Sequence, residues 1–276
     1  MDQQWENFLK NKGEWHGSFT KFSNQGIEIS DVPSILSLEA FNNNSKARID
    51  LRRFYPQADP NQAPIPKSLI QEFQPPLPPD LFFCDNGSFC RGIIQIYPSS
   101  TPTIEFGLLD ENKRSLEASC KARSRQVQKY NWNGNLEYIT LIREENYEFK
   151  PEKNQLQIED LLGTWQGNAI AIDRRLNVNS YEIKTQLERA ENKIIKTTII
   201  DKKKDIKTGN ILDSIIDFES EQILLLQDGA WASFPNPIKL GRAFEFQAGW
   251  LFAKNSMQRL KRCYNEKGEW ASTILI

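Results

Sequence analysis

Apolar and polar residues alternate along much of the chain, and this period of two is typical of β-strands that bury one face. One clear example is Thr103–Leu108, which places Ile104, Phe106 and Leu108 on one face, and another is Tyr181–Leu187. Asn-Gly and Asp-Gly turns separate such segments, because glycine adopts positive φ at no steric cost. The pattern predicts an all-β chain of short antiparallel strands. Barrels are favoured over open sandwiches because closure removes exposed strand edges.

The chain contains the same pattern twice. Gly13–Gly17 (Gly-Glu-Trp-His-Gly) and Gly163–Gly167 (Gly-Thr-Trp-Gln-Gly) each follow a short amphipathic helical pattern and open a run of strand-like sequence. Later matches, in chain order, are Asn86-Gly87 with Asp228-Gly229, Glu105-Phe106 with Glu245-Phe246, and Tyr130-Asn131 with Tyr264-Asn265. A repeat of about half the chain predicts two copies of one fold. We therefore predict two tandem antiparallel barrels, each preceded by a short helix, with domains at residues 1–150 and 151–276.

The first copy is longer because it carries a proline-rich insertion at residues 55–80. Proline lacks the N–H that a ladder needs, so this segment is predicted not to form a central strand. The preferred interpretation is a loop packed on the outside of the first barrel. A lid across the barrel mouth and a binding surface for a partner protein remain open as alternatives.

Composition and charge limit the function further. Lys and Arg total 35 against 36 Asp and Glu, so the basic excess typical of nucleic-acid binding is missing. The sequence has no apolar stretch long enough to span a bilayer and no signal-peptide pattern at its start. Its 4 cysteines lack metal-ligand spacing. These features predict a cytoplasmic protein with free thiols, no metal site, no membrane span and no nucleic-acid partner.

Motifs for catalysis are also missing from the sequence. It contains no nucleophile elbow, phosphate loop, zinc spacing or dinucleotide fingerprint. Its one histidine, His16, follows Trp15 on an alternating strand and is predicted to point away from the barrel interior. No catalytic residue is therefore predicted, and binding is favoured over catalysis.

A Gly-x-Trp motif after a short helix, at the start of an antiparallel barrel, resembles the opening motif of lipocalins and related calycins. The whole chain resembles an uncharacterised cyanobacterial family of tandem lipocalin-like barrels. The resemblance implies that the tryptophan closes the bottom of each barrel against an arginine of the last strand. By position, the two implied plugs are Trp15 with Arg125 and Trp165 with Arg259.

The plug implied for the first barrel also predicts where two further cations point. If Arg125 points inward, alternation also turns Arg123 and Lys121 inward. Inward cations are costly unless an anionic group pairs with them. Internal Asp or Glu side chains would provide that group, and so would a carboxylate-bearing ligand; both remain open. The predicted ligand-binding residues of the first barrel are Lys121, Arg123, Ile104, Phe106 and Leu108.

The predicted function is non-catalytic binding of a small, largely apolar or amphipathic molecule in a barrel cavity, with the first barrel favoured. Two alternatives remain open. Lipocalin-like barrels in cyanobacteria include lyases that attach bilins to phycobiliproteins, so the resemblance also implies a bilin chaperone or lyase. A bilin is the one cofactor that this alternative would require. If side chains fill both barrels, a protein-interaction module is expected instead, with residues 55–80 as a candidate surface.

Overall fold

The computed structural model describes residues 2–59, 61–114, 119–146 and 152–276. Its helices are α1 (Gln3–Leu9) and α2 (Ile158–Leu161). The strands of the first half are β1 (Gly13–Ser23), β2 (Glu28–Phe41), β3 (Lys46–Tyr55), β4 (Ile65–Phe73), β5 (Leu81–Phe83), β6 (Phe89–Gly92), β7 (Thr103–Arg114), β8 (Ser119–Tyr130) and β9 (Leu136–Glu145). Those of the second half are β10 (Gly163–Asp173), β11 (Val178–Ala190), β12 (Lys193–Ile200), β13 (Lys203–Leu212), β14 (Ile215–Phe218), β15 (Gln222–Leu225), β16 (Ala230–Phe234), β17 (Phe244–Ala253), β18 (Ser256–Tyr264) and β19 (Trp270–Leu275).

These strands form two antiparallel sheets, one from each half of the chain. Strands β10 to β19 form a closed barrel in chain order, with β10 paired to β19. Strands β1 to β9 form a curled sheet in the order β4-β3-β2-β1-β9-β8-β7-β6-β5, in which β4 and β5 are the two edges. The predicted all-β fold of two tandem barrel-like units is confirmed. The predicted boundary between residues 150 and 151 lies outside the described residues.

Helix α1 covers the gap between the two edges of the first sheet. Phe8 contacts Phe73 of β4 and Phe83 of β5, with ring centroids 5.3 and 5.4 Å apart. The Gln4 side chain donates to Phe83 O at 3.0 Å and accepts from Phe83 N at 2.7 Å, so it satisfies part of the open β5 edge. Helix α1 thus closes the first barrel where the strand ladder does not. No helix among the described residues has the length and apolar character needed to cross a membrane.

Part of the proline-rich insertion is a strand. Residues 65–73 form β4, which pairs with β3 along its whole length, so the interpretation of this stretch as a loop is wrong. Proline is tolerated on edge strands because no neighbour needs its missing N–H there, and Pro66 lies on such an edge. The side chains of Leu69 and Ile70 remain exposed.

The two sheets pack face to face across a shared apolar layer. Ile104 and Phe106 of β7 lie there together with Phe246 and Ala248 of β17. Polar side chains cross the same interface: Gln126 Nε2 donates to Trp231 O at 3.0 Å. The two barrels therefore share buried surface, in addition to the separate cluster inside each of them.

The side chain of Arg262 extends across this interface from the second half of the chain to the first. Its side chain is fully buried, and Nη2 donates to Gly92 O of the first half at 2.6 Å. Its Nε donates to Tyr264 Oη at 2.9 Å, and its guanidinium lies 4.6 Å from the Trp270 ring centroid. Burial alone would lower the pKa of Arg262, but its polar neighbours outweigh that effect and raise the pKa. The guanidinium therefore stays charged while it links the two halves.

Candidate functional site

Trp15 is buried inside the first sheet, and its cationic partner is Arg123 and not Arg125. The Trp15 ring is fully buried, and the Arg123 guanidinium lies 4.3 Å from a ring centroid. The predicted pairing with Arg125 is wrong because of strand register. Arg123 and Gly17 pair with the same residue of β9, so Arg123 lies two residues along the sheet from Trp15. Arg125 shares its β9 partner with Phe19, four residues from Trp15.

The inward cations of the first barrel are paired internally. Arg123 Nε donates to Glu144 Oε2 at 2.8 Å, and Arg125 Nη2 donates to Glu105 Oε1 at 2.6 Å. Burial alone would lower the pKa of Arg125, but the charges of Glu105 and Glu144 outweigh it and raise the pKa. Lys121 Nζ donates to Lys10 O at 3.3 Å. Of the two explanations left open by the sequence, internal carboxylates account for Arg123 and Arg125.

Three residues predicted to line the ligand site lie on the other face of β7: Ile104, Phe106 and Leu108. In the β7–β8 ladder, Arg125 is opposite Gly107 and Arg123 is opposite Leu109, so these pairs share the inner face. The predicted residues alternate with them and are fully buried in the layer between the sheets. Their predicted grouping with Arg123 in one lumen is wrong.

A cavity of about 260 Å³ lies inside the second barrel. Its apolar lining includes Trp165, Ile183, Leu187, Ile223, Trp231 and Met257. Its polar lining includes Lys196, Asp205, Lys207, Glu245, Gln247, Arg259 and Lys261. The sequence favoured the first barrel for such a cavity, whereas this one lies in the second.

A larger groove of about 500 Å³ runs between the two halves, and ion-paired side chains form part of its wall. Arg143 forms an ion pair with Asp228 across the groove. Glu144, on its wall, is bound to Arg123. Because these groups satisfy one another, the cavity in the second barrel is the better candidate for binding a ligand.

Glu221 binds two of the lysines in the second barrel. It accepts from Lys196 Nζ at 2.9 Å and from Lys207 Nζ at 3.0 Å. Burial alone would raise the pKa of Glu221, but the charges of the two lysines outweigh it and hold the pKa well below its usual range. Ser233 Oγ donates a further bond to Glu221 at 2.9 Å. This carboxylate is therefore ionised and fixed.

A second ion pair lies on the β17–β18 ladder. Lys261 Nζ donates to Glu245 Oε1 at 2.8 Å. Burial opposes both charges, but each partner outweighs it: the pKa of Glu245 is lowered and that of Lys261 is raised. Lys196, Lys207 and Lys261 are thus each bound to a carboxylate, and Asp205 adds a further carboxylate to the cavity wall.

Arg259 is the exception. Its side chain is 6% exposed, and Nη1 donates to Thr185 Oγ1 at 3.1 Å. Among the described residues, no carboxylate lies within ion-pair distance of its guanidinium. Burial lowers the pKa of Arg259 to about 10, against a weaker opposing effect of Glu245. The second barrel therefore holds a buried guanidinium without an anionic partner.

The predicted plug of the second barrel is not formed by Trp165 and Arg259. Trp165 is half-buried, and its Nε1 donates to Leu161 O at 2.8 Å. Within the described part of the chain, no cation lies over its ring, and Arg259 is bound to Thr185 instead. Both side chains contribute to the cavity wall.

Arg125 and Arg259 nevertheless occupy equivalent positions. Arg125 is opposite Gly107 and Arg259 is opposite Gly249. A Cβ on Gly107 would lie 2.2 Å from Phe89 Cε1, and one on Gly249 would lie 2.0 Å from Trp231 Cε2, so an aromatic ring covers each glycine.

This equivalence corrects one of the sequence matches. Two residues before the glycine, the first barrel has Glu105 and the second has Gln247. The match of Glu105 with Glu245 is therefore displaced by two residues. The carboxylate that neutralises Arg125 corresponds to an uncharged amide in the second barrel.

Comparison with known proteins identifies relatives of both halves. Residues 1–149 match a family model described as "Domain of unknown function (DUF3598), N-terminal". Residues 152–276 match one described as "Biogenesis factor required for ATP synthase 1, C-terminal domain". No curated protein is similar enough to match.

One solved structure is similar over the whole chain. It is a DUF3598-family protein of unknown function from Nostoc punctiforme, a cyanobacterium, at 35% identity and a TM-score of 0.86. The match covers 100% of this chain and 98% of that one. Together with the family model, which spans more than half of the sequence, this similarity shows that the chain belongs to the DUF3598 family.

Proposed function

We propose that the protein binds a small, largely apolar molecule in the lumen of the second barrel, as lipocalin-like proteins do, without catalysing its conversion. The observation that carries the proposal is the cavity of about 260 Å³ inside a closed barrel, lined by Trp165, Trp231 and aliphatic side chains. Closed antiparallel barrels of similar size either hold one small ligand or are filled by their own side chains. The volume lies just below the range of about 300–1,000 Å³ that is typical of ligand pockets, so a compact ligand is expected.

The first barrel is filled by its own side chains, whereas the second contains the cavity. The interior of the first is filled by an aromatic cluster that includes Trp5, Phe8, Trp15, Phe83 and Phe89. The second leaves space between its own cluster and the ion pairs of its lumen. A compact molecule fits this volume better than an open-chain tetrapyrrole of four rings, so the cavity favours a ligand other than a bilin.

Calorimetric titration with methyl octanoate, a neutral apolar ester, tests the proposal. Ile183 lines the cavity, and Ile183→Trp would fill part of it. We expect saturable binding of one ester per chain by the wild type and at least tenfold weaker binding by Ile183→Trp. Leu69→Trp, at an exposed position of β4, is the matched control and should bind as the wild type does. Absence of saturable binding to the wild type would refute the proposal.

A second function is favoured by the similarity of residues 152–276 to a factor named for ATP synthase biogenesis. We propose as the alternative that the protein assists assembly by binding an extended segment of a partner protein. Strand β4 offers an unpaired edge on which Leu69 and Ile70 are exposed, and open edges accept an additional strand. Purified ATP synthase subunits of the same host should then bind the wild type, and Leu69→Lys should weaken that binding. Equal binding by Leu69→Lys would exclude β4 as the docking edge.

A further inference from the structure

We propose that the ligand of the second barrel is a monocarboxylate and that Arg259 binds its charged group. This inference rests on the proposed function of the cavity and names the chemical class of its ligand. It starts from the charges on the cavity wall. Lys196 and Lys207 share Glu221, and Lys261 is bound to Glu245. Arg259 is the cation that these carboxylates leave without a partner.

An uncompensated buried guanidinium is costly, and it cannot lower that cost by releasing its proton. The first barrel shows how the same position is neutralised by the protein itself. Arg125 is bound by Glu105 at 2.6 Å and by Glu144 at 3.3 Å. In the second barrel Gln247 stands in the place of Glu105, and its side chain carries no charge. A bound anion would supply at Arg259 what Glu105 supplies at Arg125.

The guanidinium of Arg259 is also held in a suitable geometry. A guanidinium has five N–H donors in a planar fork that matches a carboxylate through two parallel bonds. Within the described residues, Thr185 Oγ1 accepts from Nη1 and no other side-chain acceptor is bound to the fork. Thr185 is itself buried, so it fixes the plane of the guanidinium while donors remain for a ligand.

Apolar side chains surround the same space. Trp165, Trp231 and Met257 line the cavity together with Arg259. Trp231 Nε1 donates to Met257 Sδ at 3.3 Å, so its polar atom is already occupied and its ring faces can contact a hydrocarbon. The four wall cations exceed the three carboxylates Asp205, Glu221 and Glu245 by one charge. One excess positive charge next to apolar walls matches a ligand with one negative charge and a short apolar tail. A carboxylate fits this better than a phosphate monoester, which carries close to two charges at neutral pH.

Calorimetric titration of octanoate, methyl octanoate and octyl phosphate into four proteins tests the inference. Gln247→Glu restores the carboxylate that the first barrel has, and it should neutralise Arg259 from within. Arg259→Gln removes the cation. Gln25→Glu adds the same charge at an exposed turn and is the matched control for Gln247→Glu.

We expect the wild type and Gln25→Glu to bind octanoate about tenfold or more tightly than the methyl ester, because a charge-assisted pair is added. Gln247→Glu and Arg259→Gln should bind both compounds with the affinity of the ester. Gln247→Glu decides the matter if Arg259→Gln fails to fold.

Three outcomes would overturn the inference in distinguishable ways. Equal affinity of the wild type for octanoate and its ester would remove the role of Arg259 and leave the proposed function intact. Tighter binding of octyl phosphate than of octanoate would show that the ligand class is wrong. If none of the three compounds binds, the proposed function and this inference are both refuted.

Discussion

Arg125 and Arg259 lie at the same position of two duplicated barrels, each opposite a glycine of the neighbouring strand, yet only Arg125 is bound by carboxylates. The shorter of the two ion pairs of Arg125 depends on a position that is Glu105 in the first barrel and Gln247 in the second. Both arginines are largely or fully shielded from solvent by their barrels. Because a buried charge needs compensation, the two copies are expected to differ in stability as well as in binding.

The separate substitutions Glu105→Gln and Gln247→Glu should change stability in opposite directions. Glu105→Gln removes a charge-assisted hydrogen bond from Arg125 and should lower the free energy of unfolding by about 1.5–3 kcal/mol. Gln247→Glu gives Arg259 a partner and should raise the thermal midpoint. Urea and thermal unfolding measure both effects. A Gln247→Glu variant that is less stable than the wild type would contradict the equivalence of the two positions.

The two motif tryptophans should differ in their contribution to stability. Trp15 is fully buried under Arg123, so Trp15→Ala should cost about 3–5 kcal/mol. Trp165 is half-buried at the cavity wall, so Trp165→Ala should cost clearly less than that. Trp132→Ala, at an exposed position, is the control and should stay within about 0.5 kcal/mol of the wild type. Equal losses for the Trp15 and Trp165 variants in urea unfolding would argue against this assignment.

Glu221 should make stability depend on acid pH. Its pKa in the folded protein lies below the ordinary glutamate value of about 4.3, so the ionised carboxylate contributes stability above that value. The contribution is lost as the pH falls towards the folded-state pKa.

Glu221→Gln leaves Lys196 buried without a carboxylate, and it should cost roughly 3–5 kcal/mol at pH 7. The difference between variant and wild type should shrink as the pH is lowered below about 4. Urea unfolding across this range measures it, with the exposed Glu219→Gln as control. A difference independent of pH would show that Glu221 acts through packing alone.

Arg262 should couple the unfolding of the two halves. Arg262→Ala removes the bond to Gly92 O and the contact with the Trp270 ring, and each lost charge-assisted bond should cost roughly 1.5–3 kcal/mol. We expect the wild type to unfold in a single calorimetric transition and Arg262→Ala to unfold in a broader transition or in two. Arg242→Ala, at an exposed position, should leave the transition unchanged. A single sharp transition in Arg262→Ala, shifted only in temperature, would show that the apolar layer suffices for coupling.

The architecture could be predicted from the sequence because its signals are local or repeated. Alternation marks the strands, and the second Gly-x-Trp motif marks the duplication. The open edge between β4 and β5 depends on pairing between segments distant in sequence, which alternation does not reveal. Alternation likewise did not reveal the pairing of β4 with β3, because the prolines of the insertion favoured a loop over a strand.

The site was harder to predict for a related reason. Alternation correctly placed Arg123 and Arg125 on one face of β8. It could not show which residues of β7 point to the same side of the sheet. That choice depends on strand register, which turns Gly107 inward and Phe106 towards the other barrel. Single carboxylates such as Glu144 and Glu221 carry no local signal at all. The one available clue was the change from Glu105 to Gln247, and it becomes visible once the two glycines are aligned.

Packing a solid barrel against a hollow one has a further consequence. Empty space in a protein interior weakens the fold around it, so a small domain that keeps a pocket gives up part of its own cohesion. Here the neighbouring copy, with its interior filled by aromatic rings, supports the wall of the hollow copy through a common apolar layer. We therefore expect the cavity to keep its shape while it is empty.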